Sequence, residues 1–352
     1  MKDIIQVLVV DDSPTTRDIL IGMLTDTDGL HVIGAAQDGL EAVELTAQLR
    51  PDVITMDIRM PRLNGLEATR RIMSSTPTPI VVVSSNIYEA DLNIAFNAMA
   101  VGALTVVEKP RGLDLTSYIA VREQLVTAVR LMADVQVVAL MPNAAAPVSS
   151  APTLAEINPT RPIELIAIAA SAGGPGTLRE ILQALPGDLS IPMVVVQHIT
   201  RGFGQGFAHW LDGLTPLHVS IAQPDQRLTA GQVLIAPDDT HLTIGPGGIV
   251  QLDQAAPVNG SRPSATRLFE SIARTYGPAA IGVILSGMGD DGVEGLARLR
   301  AAGGHVIAQN EESCAVFGMP KAAIERGIVD QVLTPNAIAA TLLRLNGHHR
   351  SA

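Results

Sequence analysis

Short runs of apolar, largely β-branched residues alternate with longer stretches of helical period, and this alternation occurs twice along the chain. Such an order is typical of a parallel β-sheet with helices on both faces. In the first half, the predicted strands are Val7–Val10, His31–Ala35, Val53–Asp57, Ile80–Ser84 and Leu104–Val107. In the second half, they include Leu165–Ala170, Met193–Gln197, Val233–Ala236, Ala280–Leu285 and His305–Ala308. The sequence therefore predicts an α/β protein with two doubly wound domains.

The length of 352 residues agrees with two hydrophobic cores. Between the two alternating regions, residues 141–162 are rich in Ala, Pro, Ser and Thr and show no period, which indicates a linker. We therefore place a first domain at residues 1–132, the linker at 133–161 and a second domain at 162–348. Helices are predicted at Ser117–Met132, closing the first domain, and at Thr177–Leu185, near the start of the second.

Composition excludes several classes of function. A hydrophobic content of 47% against 17% charged residues predicts a globular protein. The net charge of −11 disfavours nucleic acid as a partner, because phosphate backbones attract clustered Lys and Arg. Cys314 is the only cysteine, so an intramolecular disulfide and a thiolate metal cluster are excluded. No apolar run has the length of a signal peptide or a membrane span, so we expect a cytoplasmic protein without membrane insertion.

Polar side chains stand at the ends of the strands predicted for the first domain. Asp11 and Asp12 follow the first strand and Asp57 closes the third, so their carboxylates should meet in one crevice and bind Mg²⁺. Ser84 and Lys109 end the fourth and fifth strands, where a hydroxyl and an ammonium can bind phosphoryl oxygens. Each residue alone is also compatible with a helix cap, a turn or a solvated surface. Suitable residue types at successive strand ends favour a site.

With these residues, the first domain resembles the receiver domain of bacterial response regulators over about residues 3 to 131. The matching segments are Val9–Ser13, Met56–Pro61, Asn64–Gly65, Val83–Ser85 and Glu108–Pro110. The resemblance implies a flavodoxin-like fold in which a histidine kinase is the phosphodonor for Asp57. It also implies that Asp11, Asp12 and Asp57 bind Mg²⁺. Ser84 would be the switch hydroxyl and Lys109 the phosphate contact.

Ser171 lies on the turn between the first strand and the first helix predicted in the second domain, in a segment containing three nearby glycines. A serine on such a turn has an exposed hydroxyl, and nearby helix N-terminal amides can stabilise an oxyanion. The same turn is compatible with a serine N-cap or with a phosphate-binding loop. It is not a G-x-S-x-G elbow, because Ala169 stands where the first glycine would be. The turn alone leaves these alternatives open.

A serine nucleophile needs a base, and His198 follows the next predicted strand at the same edge of the sheet. Asp290 and Asp291 follow the strand Ala280–Leu285 at that edge, and one of them could orient the histidine. The competing histidines are His209, His218, His241 and His305. Of all these histidines, only His198 and His305 belong to predicted strands or their ends, and His305 begins its strand at the opposite edge.

The second domain, about residues 162 to 345, resembles the catalytic domain of chemotaxis protein-glutamate methylesterases. The matching segments are Ala169–Pro175, Val196–His198, Pro257–Asn259, Arg262–Ser264, Ser286–Gly292, Ala308–Glu311 and Val316–Pro320. The resemblance implies a Rossmann-like hydrolase, activated by receiver phosphorylation, that demethylates glutamate γ-methyl esters on methyl-accepting chemotaxis receptors and deamidates receptor glutamines. It implies Ser171 as nucleophile, His198 as general base and acid, Asp291 as the residue orienting it, and the Met288 amide in the oxyanion hole. Mg²⁺ would belong to the receiver, with no cofactor for the hydrolase.

Other functions stay open at this point. A nucleotide-dependent Rossmann enzyme could be argued from Gly173, Gly174 and Gly176, although their spacing is not G-x-G-x-x-G. A non-catalytic regulator would use the phosphorylated receiver only to dock partners, and a methylesterase could serve a parallel chemosensory pathway. A DNA-binding regulator would need a basic recognition helix, which the sequence after the linker does not show. Cys314 is a minor alternative nucleophile, since a lone cysteine is more often buried packing.

Overall fold

The computed structural model describes residues 4–84, 89–110, 115–135 and 161–349, together with 137, 157 and 159. Contacts divide the chain into two compact units, Met1–Ala145 and Ala146–Ala352. Most of the span predicted as a linker lies outside the described residues, as does Ser85 of the receiver-like segments. Within the described ranges, no helix is both long enough and apolar enough to cross a membrane.

In the first unit, strands and helices alternate through the described residues. The strands are β1 (Ile5–Val10), β2 (Leu30–Ala36), β3 (Val53–Asp57), β4 (Ile80–Ser84) and β5 (Thr105–Glu108). The helices are α1 (Pro14–Thr25), α2 (Gly39–Leu49), α3 (Gly65–Ser75), α4 (Glu89–Ala100) and α5 (Leu115–Ala133). The sheet has the order β2-β1-β3-β4-β5, and all neighbouring strands are parallel. This order confirms the flavodoxin-like fold expected for the first domain.

The helices of this unit begin where short polar side chains cap them. The Ser13 hydroxyl accepts a hydrogen bond from the Thr16 amide at 3.3 Å at the start of α1. Asn64 does the same for α3, where its side-chain oxygen accepts from the Glu67 amide at 2.9 Å. Such caps satisfy backbone amides that have no partner inside the helix. They fix the loops that leave the carboxyl ends of the strands.

The second unit has a larger parallel sheet. Its strands are β6 (Leu165–Ala170), β7 (Met193–Gln197), β8 (His218–Ile221), β9 (Gln232–Ile235), β10 (His241–Gly245), β11 (Ile249–Asp253), β12 (Ala280–Ile284), β13 (His305–Gln309) and β14 (Gln331–Leu333). Its helices are α6 (Gly174–Gln183), α7 (Gly204–Asp212), α8 (Ala265–Thr275), α9 (Val293–Ala301), α10 (Met319–Glu325) and α11 (Pro335–His349). Seven strands form a parallel sheet in the order β14-β13-β12-β6-β7-β9-β8, and β10 pairs antiparallel with β11. The doubly wound α/β fold expected for this domain is confirmed.

The strand β6 lies in the middle of this sheet, with β7 on one side and β12 on the other. The chain leaves β6 toward β7 and later returns on the opposite side through β12. In an open parallel sheet, the carboxyl ends of the strands around such a reversal form a crevice. Residues that follow β6, β7 and β12 are therefore brought to one place.

Two sequence-based expectations about this unit are corrected, one in the bounds of a helix and one in which histidines belong to strands. The helix expected at Thr177–Leu185 is α6, which begins at Gly174 because Pro175 is tolerated in a first helical turn. The expectation that only His198 and His305 belong to strands fails because His218 and His241 begin β8 and β10. Those two strands lie at a sheet edge and in a separate ribbon. Strands in such positions need fewer apolar residues than the buried central strands, so their pattern is weaker.

Candidate phosphorylation site and candidate active site

The carboxylates predicted at the edge of the first sheet lie together. Candidate ligand oxygens of Asp11, Asp12 and Asp57 all lie within 4.8 Å of one another. Asp57 closes β3 and is 3% exposed, and its Oδ1 accepts a hydrogen bond of 2.6 Å from the Ile58 amide. The structure thus brings the three acidic residues into one partly buried cluster.

Lys109 joins this cluster from the end of β5. Its ammonium lies 2.9 Å from Oδ2 of Asp11 and 2.9 Å from Oδ1 of Asp57. Burial alone would lower the pKa of Lys109, but the charges of Asp57 and Asp11 outweigh it and raise that pKa. The Lys109 backbone amide donates to the carbonyl of Ser84, which is buried at the end of β4. All the residues predicted for the receiver site therefore lie at one sheet edge.

The Asp57 carboxyl has an unusual proton affinity. Burial raises its pKa to about 6, a rise that the charge of Lys109 reduces and that of Asp11 increases. Its Oδ2 atom is buried and has no hydrogen-bond partner among the described residues. An oxygen in this state, close to the other acidic side chains, fits the oxygen ligands that Mg²⁺ requires. The donor set is thus chemically suitable for the ion that the sequence suggested.

In the second unit, Ser171 stands directly after β6 on a turn fixed by the backbone. Its amide donates to the carbonyl of Ser286 at 3.0 Å, and its own carbonyl accepts from the Gly174 amide at 2.9 Å. The N-cap of α6 is Gly173, with a φ of 76°. The alternative that Ser171 serves as the helix N-cap is therefore wrong, because its hydroxyl does not cap α6.

His198 stands directly after β7, and its amide donates to the carbonyl of Ala170 at 2.9 Å. Its Nε2 atom lies 2.9 Å from Oδ2 of Asp291, which comes from the loop after β12. In the described part of the chain, the Ser171 hydroxyl makes no hydrogen bond to the His198 ring. Because Nε2 is engaged by Asp291, Nδ1 is the ring nitrogen available to a nucleophile. Asp290 is exposed, whereas Asp291 is 5% exposed.

Asp291 is held as an anion. Burial alone would raise its pKa, but the hydrogen bond and charge of His198, the Ala265 amide and the Ser264 hydroxyl outweigh burial and hold the pKa at about 2. The Thr266 amide donates a further hydrogen bond of 3.1 Å to Oδ1. Such a carboxylate can orient an imidazole and stabilise its cation without taking up the proton itself.

Gln197 ties the serine and histidine segments together. Its amide nitrogen donates to the carbonyl of Ser171 at 2.8 Å and to the carbonyl of His198 at 2.9 Å. The side chain is buried, so these bonds are protected from water. Gln197 therefore fixes the spacing of the two backbone segments, a contribution that its place at the end of an apolar strand did not reveal.

The segment after β12 lies against the nucleophile. A Cβ atom added to Gly287 would come within 2.8 Å of the Ser171 Cβ. The Gly287 carbonyl accepts from the amides of Gly318 and Met319, which clamps this segment. Among the described residues, the amide of Met288, next in the chain, donates to no protein acceptor. A donor of this kind beside a nucleophile is what an oxyanion hole requires.

The remaining histidines and the cysteine lie in other settings. His241 is fully buried with both ring nitrogens bonded, and His305 begins β13 at the far edge, 4.0 Å from Asp330. His218 contacts Asp212 at the surface. Burial, with a smaller contribution from Glu311 and Glu312, raises the pKa of Cys314 to about 12. This thiol is not ionised at neutral pH and is a poor nucleophile.

The functional residues that sequence reasoning missed are those around Asp291. The segment Arg262–Ser264 was noticed only as part of a resemblance, with no role for Ser264. The available signal was a serine immediately before an amphipathic helix, which indicates an N-cap. The side chain that this N-cap would contact lies 27 positions further along the chain.

Parallel sheets of these two orders, with these side chains at their carboxyl edges, define a class of protein: response regulators whose receiver is joined to an enzymatic unit. Residues 7–120 match the response regulator receiver domain, and residues 166–342 match CheB methylesterase. The chain therefore belongs to the CheB methylesterase family, in the form that carries a receiver.

Similar proteins cover nearly the whole chain. Protein-glutamate methylesterase/protein-glutamine glutaminase 4 of Myxococcus xanthus is 45% identical over 343 residues, 97% of each chain. Protein-glutamate methylesterase/protein-glutamine glutaminase 3 of Anaeromyxobacter dehalogenans is 47% identical over 342 residues, 96% of this chain and 98% of the other. The crystal structure of the Thermotoga maritima CheB methylesterase catalytic domain matches with a TM-score of 0.51 and 39% identity, covering 52% of this chain and 98% of that one.

Proposed function

We propose that this chain is a phosphorylation-activated hydrolase that demethylates glutamate γ-methyl esters on methyl-accepting chemotaxis receptors and deamidates receptor glutamines. The observation that carries the proposal is the 2.9 Å contact between His198 Nε2 and Asp291 Oδ2, at the sheet edge where β6 delivers Ser171. The names of the relatives support the substrate class. The receiver-like first unit supports control by phosphorylation.

The proposed reaction is acyl transfer through a covalent intermediate. The Ser171 hydroxyl attacks the γ-carbonyl carbon while the Nδ1 atom of His198 takes its proton. Asp291 is ionised and bonded to Nε2, so it holds the imidazole in the tautomer that leaves Nδ1 unprotonated. The carbonyl oxygen becomes an oxyanion, and the Met288 amide is its proposed donor.

The same groups complete the reaction. His198 returns the proton to the leaving oxygen, methanol departs, and a glutamyl ester of Ser171 remains. Water then loses a proton to His198 and attacks this ester, which releases glutamate and restores the serine. With a glutamine substrate, the leaving group is ammonia and the second half of the reaction is unchanged.

In the first unit, we propose Asp57 as the residue phosphorylated by a histidine kinase. Lys109 contacts Asp57 directly and is placed to bind a phosphoryl oxygen, and Ser84 at the end of β4 is the proposed switch hydroxyl. Asp11, Asp12 and Asp57 would hold Mg²⁺, which when bound offsets the negative charge of the phosphoryl group.

The proposal assigns residues 1–132 to the receiver, 133–161 to a linker and 162–348 to the hydrolase. Phosphorylation would relieve a restraint that the unphosphorylated receiver exerts on the hydrolase, which requires different interactions in the two states. A kinase phosphodonor and receptor segments as substrate imply action in the cytoplasm.

The test is release of methanol from membranes that contain methylated receptors, using the full chain. We expect release by the wild type, loss of release in Ser171→Ala, and unchanged release in Ser220→Ala, which alters a serine on the edge strand β8. Receptors carrying glutamine in place of the ester should release ammonia with the same dependence on Ser171. Absence of methanol from every receptor preparation would leave a non-catalytic docking regulator as the better account.

A further inference from the structure

We propose that Ser264 and the first turn of α8 act as a positioning group that orients the Asp291 carboxylate toward His198. This inference rests on the proposed function, because it concerns how the catalytic carboxylate is held. Nothing in the resemblance to the family assigned a role to Ser264.

Ser264 occupies the N-cap position of α8 but does not cap its own helix. Its φ and ψ of −111° and 127° are those of an N-cap, yet its side chain makes no capping hydrogen bond. A serine N-cap ordinarily accepts from an amide in the first turn. Here the Ser264 hydroxyl instead donates to Oδ1 of Asp291 at 2.8 Å.

The first two backbone amides of α8, which have no acceptor inside the helix, donate to Asp291 as well. Ala265 donates to Oδ2 at 2.7 Å, and Thr266 donates to Oδ1 at 3.1 Å. Oδ1 therefore accepts from Ser264 and Thr266, while Oδ2 accepts from Ala265 and lies 2.9 Å from His198 Nε2. The carboxylate from the β12 loop thus serves as the cap of α8, at the end of the helix where the macrodipole favours a negative charge.

Burial makes these contacts decisive for orientation. Ser264 is fully buried, and Asp291 is 5% exposed. Water has little access to replace a lost donor, so the protein donors alone fix the plane of the carboxylate. Because two donors fix Oδ1 and the Ala265 amide fixes Oδ2 from one side, the other side of Oδ2 is directed at His198.

Two further contacts hold Ser264 and the Asp291 loop in place. The Ser264 amide donates to Nδ1 of the buried His241 at 3.2 Å, and His241 Nε2 lies 3.2 Å from the Ala256 carbonyl. Since a carbonyl can only accept, the His241 proton resides on Nε2 and Nδ1 is the acceptor. The Thr266 hydroxyl accepts from the Gly292 amide at 2.8 Å, which ties the residue after Asp291 to α8.

The test compares buried-serine variants of the full chain in the methanol-release assay. In Ser264→Ala, we expect kcat to fall about tenfold with KM little changed, because a misoriented carboxylate affects the chemical step more than substrate binding. The matched control is Ser271→Ala, a buried serine of the same helix that bonds the Leu268 carbonyl and the Ile244 amide. It should keep the wild-type kcat even where its unfolding midpoint drops.

A pH profile separates positioning from general loss of structure. A carboxylate turned away from Nε2 stabilises the His198 cation less strongly. The acid limb of kcat/KM should therefore move to lower pH by about half a unit in Ser264→Ala and stay in place in Ser271→Ala. Thr266→Val, which removes the hydroxyl that binds Gly292, should lower kcat, and Thr266→Ser should restore it.

The His198 ring can also be titrated by NMR on histidine-labelled protein, which requires no turnover. A lowered midpoint in Ser264→Ala supports the proposal even with a poor substrate. The proposal would be overturned if Ser264→Ala kept the wild-type ring titration and the wild-type kcat. It would also be overturned if Ser264→Ala lost activity only in proportion to its folded fraction, as expected for Ser271→Ala. If the wild type itself released no methanol, the proposed function would fail, while the ring titration would still decide the role of Ser264.

Discussion

Two buried carboxylates of similar exposure have opposite proton affinities in this molecule. The pKa of Asp57 is raised to about 6, and that of Asp291 is held at about 2. Their partners account for the difference, since Asp291 meets donors at both oxygens whereas the Asp57 Oδ2 has none among the described residues. Asp291 is therefore suited to a permanent charge that orients a histidine. Asp57 is suited to gain a cation and a phosphoryl group.

The pH dependence of stability tests the state of Asp57. Its pKa rises from 3.8 to about 6 on folding, so the folded state binds the proton more tightly and loses stability as pH rises through about 6. At pH 7.5 without divalent ions, Asp57→Asn should raise the free energy of unfolding by about 1–2 kcal/mol. Urea unfolding followed by circular dichroism measures this difference.

The difference should shrink as pH falls from about 6 toward about 3, below the unfolded pKa, where the wild-type carboxyl is protonated in the folded and unfolded states alike. Asp134→Asn removes an exposed charge after α5 and serves as the control, with no such gain. If the gain in the free energy of unfolding for Asp57→Asn stayed constant between these pH values, the raised pKa of Asp57 would be contradicted.

At the scale of elements, the turn between β6 and α6 sets the position of the nucleophile. Gly173 has a φ of 76°, and a Cβ added to it would lie 2.5 Å from the Ala315 Cβ and 2.8 Å from the Ser286 hydroxyl. Gly327, after α10, has a φ of 71°, but an added Cβ would meet no atom within 4 Å. The two glycines share a backbone conformation and differ in the space around them.

Replacing Gly173 or Gly327 by alanine should therefore reduce stability by different amounts. Gly327→Ala should cost about 1 kcal/mol from backbone strain alone. Gly173→Ala should cost about 2 kcal/mol more and reduce methanol release, because the clash displaces the turn that carries Ser171. Unfolding midpoints and kcat of both variants decide the matter. Equal stability and equal activity in the two variants would show that the turn is not tightly packed.

The elements also show which parts of the fold could be predicted from sequence. The central strands β3, β4, β6 and β7 were located to the residue, because a strand buried on both faces gives a continuous apolar run. The ribbon β10–β11 and the edge strands β8 and β14 were not among the strands named from the sequence. Exposed polar residues, His218 in β8 and Gln251 in β11, weaken the pattern of those strands, and β14 is only three residues long.

The candidate active site likewise contains residues that could be predicted from sequence and residues that could not. Ser171, His198 and Asp291 could be proposed because strand ends in a parallel sheet share an edge, so sequence order implies proximity. The contact between Ser264 and Asp291 depends on how α8 approaches the loop after β12, and no local pattern encodes that approach. His241 was placed below His198 only because no strand was predicted there, and its two bonded ring nitrogens are what exclude it as a base.

At the scale of the whole molecule, each compact unit carries one site at the carboxyl edge of its own parallel sheet. In the first site, three carboxylates surround Lys109, and in the second, the ionised Asp291 contacts His198. A chain that joins such units can couple phosphoryl chemistry in one to ester hydrolysis in the other. This arrangement agrees with membership of a family whose relatives match over nearly the whole length.

Metal binding provides a prediction for the intact chain. Mg²⁺ should raise the temperature of the unfolding transition assigned to the receiver, because an ion bound only to the folded state stabilises it by mass action. Asp12→Asn should weaken this rise by removing one negative charge from the candidate ligands, while Asp134→Asn should leave it unchanged. Calorimetry with increasing Mg²⁺ measures both. An equal rise in all three proteins would place the ion elsewhere.

The most direct test of the central claim is methanol release by the intact chain, with and without a small-molecule phosphodonor and Mg²⁺. The account predicts release that the phosphodonor stimulates in the wild type, basal release without stimulation in Asp57→Ala, and no release in Ser171→Ala. Stimulation that survived Asp57→Ala, or release that survived Ser171→Ala, would contradict it.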